Sequence, residues 1–179
     1  PERKGNPVIP DPEATALVAK WQERLGEGLT KRIGYTVSGI AKGSWTQANW
    51  VTDAWLAMIP DADVAVQNFG GLRQSVPPGP FTLETMVGMM PFENHIFTVR
   101  VTGAQLAQNL ANATITCITQ PGRCPAVAGL TFEETRDGVQ VTLKNGAPLD
   151  SKAAYRVLIN DFMYAGGSGY TFGKMDPSP

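Results

Sequence analysis

Apolar and polar positions recur along this chain at two periods, and the changes of period mark out its elements. Asp11 followed by Pro12 reads as a helix start, and Ala14, Leu17, Val18, Trp21 and Leu25 then recur at helical spacing, with Gly26 and Gly28 expected to end the helix. Ile33, Tyr35 and Val37 alternate as in a half-buried strand. Trp50, Val51, Ala54 and Met58 predict the inward stripe of a second helix. Asp63 to Asn68 reads as a short buried strand, and Phe69 to Pro80, rich in glycine and proline, as a loop. Thr82 is placed to cap a short helix. Ile96 to Val101 predicts a strand, followed by a helix from about Thr102 that turns Leu106 and Leu110 inward. Leu130 to Glu134 and Val139 to Leu143 flank Asp137-Gly138, a strong hairpin signal. Tyr155 to Asn160 is the last apolar strand and runs into a loop from Asp161 to Tyr170. Helices mixed with strands and one antiparallel hairpin predict an α+β fold, a layered sandwich of mixed sheets and helices, rather than a doubly wound parallel sheet. No internal repeat is visible.

Composition narrows the function classes. A chain of 179 residues with 42% hydrophobic and 17% charged residues suits one domain with a sizeable core. Nineteen glycines and fourteen prolines make it loop-rich. Fifteen basic against sixteen acidic residues leave no general attraction for a nucleic acid polymer or an anionic membrane. No apolar run approaches the roughly 18 residues that span a bilayer. A single histidine, His95, is too few for a catalytic zinc or dimetal centre, and two cysteines are too few for structural zinc, so no metal ligand is assigned. His95 opens a strand and reads as structural. Residues 1–10, with three prolines and three charges, read as a linker or a cut end of something longer, leaving 11–179 as the domain.

Cys117 and Cys124 enclose a short turn-forming loop whose ends can meet in a disulfide; two unpaired buried thiols are the other reading. A bridge would imply an oxidising compartment, periplasmic or extracellular.

Two loops place paired glycines directly after an apolar strand, where the backbone turns sharply and a ligand can come close to it: Asn68-Phe69-Gly70-Gly71-Leu72-Arg73, and Asn160 to Tyr170 with its Gly166-Gly167-Ser168-Gly169 core. Neither is a phosphate cradle. Ser168 stands where a Walker loop ending at Gly173-Lys174 needs glycine, and Met175 where it needs a hydroxyl residue. The second loop also misses the nucleophile-elbow spacing. No catalytic residue is assigned.

Taken in order, several motifs resemble the C-terminal domain of the 5'-nucleotidase family, which also includes UDP-sugar hydrolases and 2',3'-cyclic-nucleotide phosphodiesterases. Asn68 to Arg73 is similar to Asn-x-Gly-Gly-Ile-Arg, Pro91-Phe92-Glu93-Asn94 to Pro-Phe-x-Asn, and Ala48-Asn49-Trp50-Val51-Thr52-Asp53-Ala54 to Gly-Asn-Leu-x-x-Asp-Ala. Thr102-Gly103-Ala104-Gln105-Leu106 resembles Thr-Gly-x-x-Leu, and Asn160-Asp161-Phe162 with Gly166 to Tyr170 resembles Asn-x-Phe followed by Gly-Gly-Asp-Gly-Tyr. The resemblance runs from about residue 30 to 172.

It implies a division of labour in which an N-terminal metallophosphoesterase domain holds two divalent metal ions and this domain recognises the nucleoside or nucleotide. On that reading Phe92 and Phe162 sandwich the base, Asn68 bonds the base edge or ribose region, the Gly70-Gly71 backbone admits the ligand, Arg73 meets phosphate or ribose oxygens, and Ser168 faces the sugar. Without the resemblance, Phe92 reads first as a core plug, and Arg73 can be a solvated charge and Asn68 a turn residue satisfying backbone groups. Three departures stand out. Ser168 replaces an aspartate and Ala48 a glycine, and Ser38 to Thr46 carries Lys42 but no arginine. The expected function is substrate recognition for a 5'-nucleotidase-like phosphoesterase, with this chain inactive by itself; a non-enzymatic nucleoside-binding module is the alternative.

Overall fold

The computed structural model describes residues 2–3, 6–7 and 9–176, apart from the side chains of residues 2–7 and 25–27. Of the expected linker over residues 1–10, residues 1, 4, 5 and 8 fall outside these, and the described part holds a two-residue ladder of β1 (Glu2–Arg3) with β2 (Asn6–Pro7).

The centre of the molecule is a four-stranded mixed sheet. Its strands are β6 (Ile96–Thr102), β10 (Ala154–Asn160), β4 (Val64–Asn68) and β7 (Pro125–Ala128), in that spatial order. β10 and β4 run parallel, and β6 and β7 run antiparallel on either side of them. Strand period decides the two faces. Val64, Val66, Val157 and Ile159 enter one hydrophobic cluster, while their neighbours Ala65 and Leu158 enter the other. A strand buried on both sides needs no polar alternation, and all five residues of β4 are buried.

One face is covered by α4 (Gly103–Cys117), whose start is fixed by a reciprocal cap between Thr102 and Gln105, and by the hairpin of β8 (Leu130–Thr135) with β9 (Gly138–Leu143). Leu106 and Leu110 of α4 are fully buried there. The other face carries α2 (Trp45–Met58), α3 (Leu83–Met89), capped by Thr82, and β5 (Gly79–Thr82), paired with β3 (Arg32–Thr36). Two short helices, α5 (Asp161–Tyr164) and α6 (Phe172–Met175), close one end. The α+β layering is therefore the architecture observed.

Several local expectations need correction. α1 (Pro12–Thr30) starts where expected, with Asp11 accepting a hydrogen bond from the Ala14 amide, but it runs through Gly26 and Gly28 to Thr30. A helical glycine costs only about 1 kcal/mol against alanine, too little to stop a helix unaided. Its Leu17, Val18 and Trp21 are more than half exposed rather than buried. In α2 the inward face is Gln47, Ala48, Val51, Thr52 and Trp55; Ala54 and Met58 are exposed, and Trp50 lies edge-on to Phe81. Thr52 can be buried because its hydroxyl bonds back to the Asn49 carbonyl at 3.0 Å. Ile33, Tyr35 and Val37 are exposed as well, since Phe81 of β5 rests against Gly34 and occupies the inner side of β3. The hairpin turn is Arg136-Asp137, one residue before the expected pair, with Gly138 already facing Thr135 in the ladder. Both expected loops are built from ordered turns. Phe69–Gly71 is a single 3-10 turn and Ile40 bridges to Val76, while α5 and the turn Gly167–Gly169 fill the later loop.

Candidate functional site

Strand order brings four separate segments to one edge of the sheet. β4 and β10 are parallel, so their last residues, Asn68 and Asn160, finish side by side. β6 and β7 are antiparallel to them, so the segments entering these two strands arrive at the same edge. Such an edge, outside the carboxyl ends of parallel strands, is where ligands bind in open sheets.

A cavity of about 340 Å³ opens there. From the end of β4 onward come Asn68, Gly70, Gly71 and Arg73; before β6, Phe92 and Asn94; before β7, Gln120, Gly122 and Arg123; from the end of β10 onward, Asn160, Phe162 and Ser168. All seven residues singled out for substrate contact, Asn68, Gly70, Gly71, Arg73, Phe92, Phe162 and Ser168, thus face one space. Asn94, Gln120, Gly122, Arg123 and Asn160 line it too and carried no site assignment. Asn94 and Asn160 stand within quoted motifs; the other three belong to the cysteine loop, where no motif points to a ligand.

The floor is a network of buried amides. Asn160 donates to Gln67 Oε1 at 2.8 Å and to Asn68 Oδ1 at 3.0 Å, and its own carbonyl accepts the Met163 amide at 2.7 Å, capping α5. Asn68 in turn donates to Ser168 Oγ at 3.2 Å. With both Asn160 donors engaged and Asn68 bonded at each end of its amide, Asn68 and Ser168 hold fixed orientations at the cavity wall.

The two phenylalanines stand half-exposed, Phe92 at 51% and Phe162 at 50%. A core plug would be buried, so that reading of Phe92 is set aside. The Arg73 guanidinium lies 5.6 Å from the centre of the Phe92 ring and donates to the Gly70 carbonyl at 3.1 Å. Phe162 rests on Gly167, where a Cβ would collide with the ring.

Asp161 ties the two aromatic segments together. It accepts from the Asn94 side chain and from the Phe162 amide, its own amide donates to the His95 carbonyl, and His95 Nδ1 lies 3.6 Å from its carboxylate. The bond from Asn94 is the main reason its carboxyl is held below the ordinary aspartate range. His95 itself is largely exposed.

The third wall is set by a disulfide between Cys117 and Cys124, whose Cα atoms are 4.6 Å apart. It closes the loop holding the turn Pro121–Arg123, and the Gly122 carbonyl presses against Gly70 so closely that a Cβ on Gly70 would sit 3.1 Å from it. The Tyr170 hydroxyl donates to the Arg123 carbonyl at 3.1 Å, and burial pushes that phenol above its ordinary pKa. Lys42 is not among the lining residues; its amide bonds Ser75 Oγ at 2.9 Å.

Among the described residues no three of His, Cys, Asp and Glu are grouped to hold a metal ion. The described residues do not fit the dimetal centre that the resemblance implies for another domain. Among the described residues no helix is long and apolar enough to cross a membrane.

Known proteins share this sequence and fold. The chain is 27% identical over 181 residues to the trifunctional nucleotide phosphoesterase protein YfkN of Bacillus subtilis, covering 90% of this chain and 12% of that protein. It is 30% identical over 194 residues to a cell wall protein of Listeria monocytogenes, covering 92% of this chain and 24% of the relative. The crystal structure of a 5'-nucleotidase precursor from Thermus thermophilus superimposes with a TM-score of 0.79 at 25% identity, over 92% of this chain and 36% of that one. The chain therefore spans well under half the length of these relatives. Residues 29–174 match the model of the 5'-nucleotidase C-terminal domain, and the chain belongs to that family.

Proposed function

We propose that this domain recognises the nucleoside part of a nucleotide, gripping a flat base between Phe92 and Phe162, for a phosphoesterase whose hydrolytic dimetal centre lies in another part of the full-length protein. The observation that carries the reading is the pair of half-exposed rings bordering one cavity of nucleoside size. Large apolar rings left in water gain when a heterocycle covers them, and each stacked face is worth roughly 1–3 kcal/mol. Asn68 and Asn94 offer amides to the base edge or sugar, and Arg73 offers a rigid donor fork to phosphate or ribose oxygens. Family membership and the relative named as a nucleotide phosphoesterase support a phosphate ester as the substrate of the whole protein. The disulfide and the cell wall relative support a periplasmic or extracellular setting. The chain by itself is expected to hydrolyse nothing.

Isothermal titration with adenosine, uridine and AMP tests the grip. Phe92→Ala and Phe162→Ala are each expected to weaken binding about 5- to 150-fold, the equivalent of one lost stacking face. Wild type and both variants binding alike would overturn the reading.

A further inference from the structure

We propose that Arg123 and Ser168 form a second anion subsite, which takes a second phosphoryl group of the same nucleotide; this rests on the nucleoside reading above. The cavity lining holds two arginines, Arg73 and Arg123, and no carboxylate. Arg73 is partly engaged, by the Gly70 carbonyl and the Phe92 ring. Arg123 differs. Its backbone is held at both ends, the amide by the Gln120 carbonyl at 2.8 Å and the carbonyl by the Tyr170 hydroxyl at 3.1 Å, on a loop closed by the disulfide. Yet its guanidinium, on a half-buried residue, has neither an acidic nor a hydrogen-bonding partner among the described residues; the ion pairs there are His95 with Asp161 and Arg156 with Asp61.

The surroundings of Arg123 fit an anion. A side cavity of about 50 Å³ shares Arg123 and Ser168 with the main one and is also lined by Asn112 and Gly169. A Cβ on Gly169 would lie 3.3 Å from Arg123 Nη1, so the bare glycine leaves the guanidinium room. Ser168 carries a hydroxyl where a carboxylate would neutralise the arginine. Its oxygen already accepts from Asn68, which leaves its proton to be donated outward. It is held in the left-handed region at φ 56, a conformation costly for a non-glycine residue that keeps the hydroxyl on this wall. A partly buried, unpaired guanidinium beside a hydroxyl donor favours a phosphoryl oxygen pair, which accepts a planar fork bidentately. Dinucleotide sites use the same chemistry, with an acid for a free ribose diol and an arginine for a phosphorylated one. The second phosphoryl group can be carried by the ribose or lie further along a phosphate chain.

Titrations of the disulfide-bonded chain with AMP, adenosine 2',5'-bisphosphate, adenosine 3',5'-bisphosphate and ADP decide the matter. At least one doubly phosphorylated ligand is expected to bind about tenfold or more tightly than AMP. The bisphosphates gaining would place the group on the ribose, ADP gaining would place it in the chain. Arg123→Ala is expected to remove that gain and Arg123→Lys to restore part of it, with thermal melting confirming that both variants fold. No gain over AMP, or a gain that survives Arg123→Ala, overturns the subsite. AMP binding that depends on Phe92 and Phe162 without any gain sinks this inference alone. AMP and adenosine binding indifferent to both phenylalanines sinks the stacking reading instead.

Discussion

Asn160 is the residue on which the site's polar floor depends. It is 3% exposed and its amide serves three partners at once: the Gln67 side chain, the Asn68 side chain and the Met163 amide. Truncation to alanine would strand a buried carbonyl oxygen of Gln67 and the first-turn amide of α5, and each orphaned group costs about 1–3 kcal/mol. Asn160→Ala is therefore expected to lower unfolding free energy by about 2–4 kcal/mol in urea titration, with the slope unchanged. A loss below about 0.5 kcal/mol would mean that water replaces all three bonds. Asp161 next to it acts differently, since its side chain is only partly buried and holds loops to each other instead of filling the interior. The sequence motif containing both residues drew attention to Phe162, yet the two polar neighbours are what fix that ring's place in the fold.

The element that carries Phe162 also sets how closely the ring can lie to the backbone. The turn Gly167–Gly169 follows α5 and passes beneath the ring, so a methyl group at residue 167 would push the ring away from its present place. Gly167→Ala is expected to weaken adenosine binding by about tenfold or more while changing the melting temperature little, because the displaced ring is already half in solvent. Unchanged affinity would show that the ring's resting place on the turn is not its binding position. Elements of this kind were only partly legible in the sequence. β4, β6, β10 and α4 announce themselves because caps and unbroken apolar runs are local signals. The inward face of α2 was misplaced because a threonine bonded to its own helix behaves as a core residue, and the exposed alternation of β3 because its partner strand brings Phe81 to the side where Gly34 makes room. The turn before β7 is legible as a turn, but nothing in its residues signals ligand contact. Gln120, Gly122 and Arg123 become cavity residues only through the order β6-β10-β4-β7, and no short-range pattern encodes which strand lies beside which.

At the scale of the whole molecule, two hydrophobic layers hold the sheet, and the site is assembled where four chain segments meet at its edge. The two that follow β4 and β10 are anchored by the amide network, and the one before β6 by Asp161, which bonds the Asn94 side chain and the His95 carbonyl. The fourth, between α4 and β7, depends on a covalent clasp instead: Cys117 ends the helix, Cys124 precedes the strand, and the bridge spans a sequence separation of 7. Closing a loop this short removes denatured-chain entropy worth about 2–3 kcal/mol. Apart from the two cysteines, of which Cys124 is buried in one cluster and Cys117 packs against it, neither cluster includes the loop, and β7 remains paired with β4 through four residues while α4 keeps its buried face. A Cys117→Ser, Cys124→Ser double variant is therefore expected to keep its far-ultraviolet circular dichroism while melting about 5–10 °C lower. Nucleotide affinity should fall further than that of any single lining variant outside the aromatic pair, because Gln120, Gly122 and Arg123 lose their common support together. An unchanged melting temperature with intact affinity would mean that the Gly70 to Gly122 contact and the Tyr170 hydrogen bond hold the turn without the clasp.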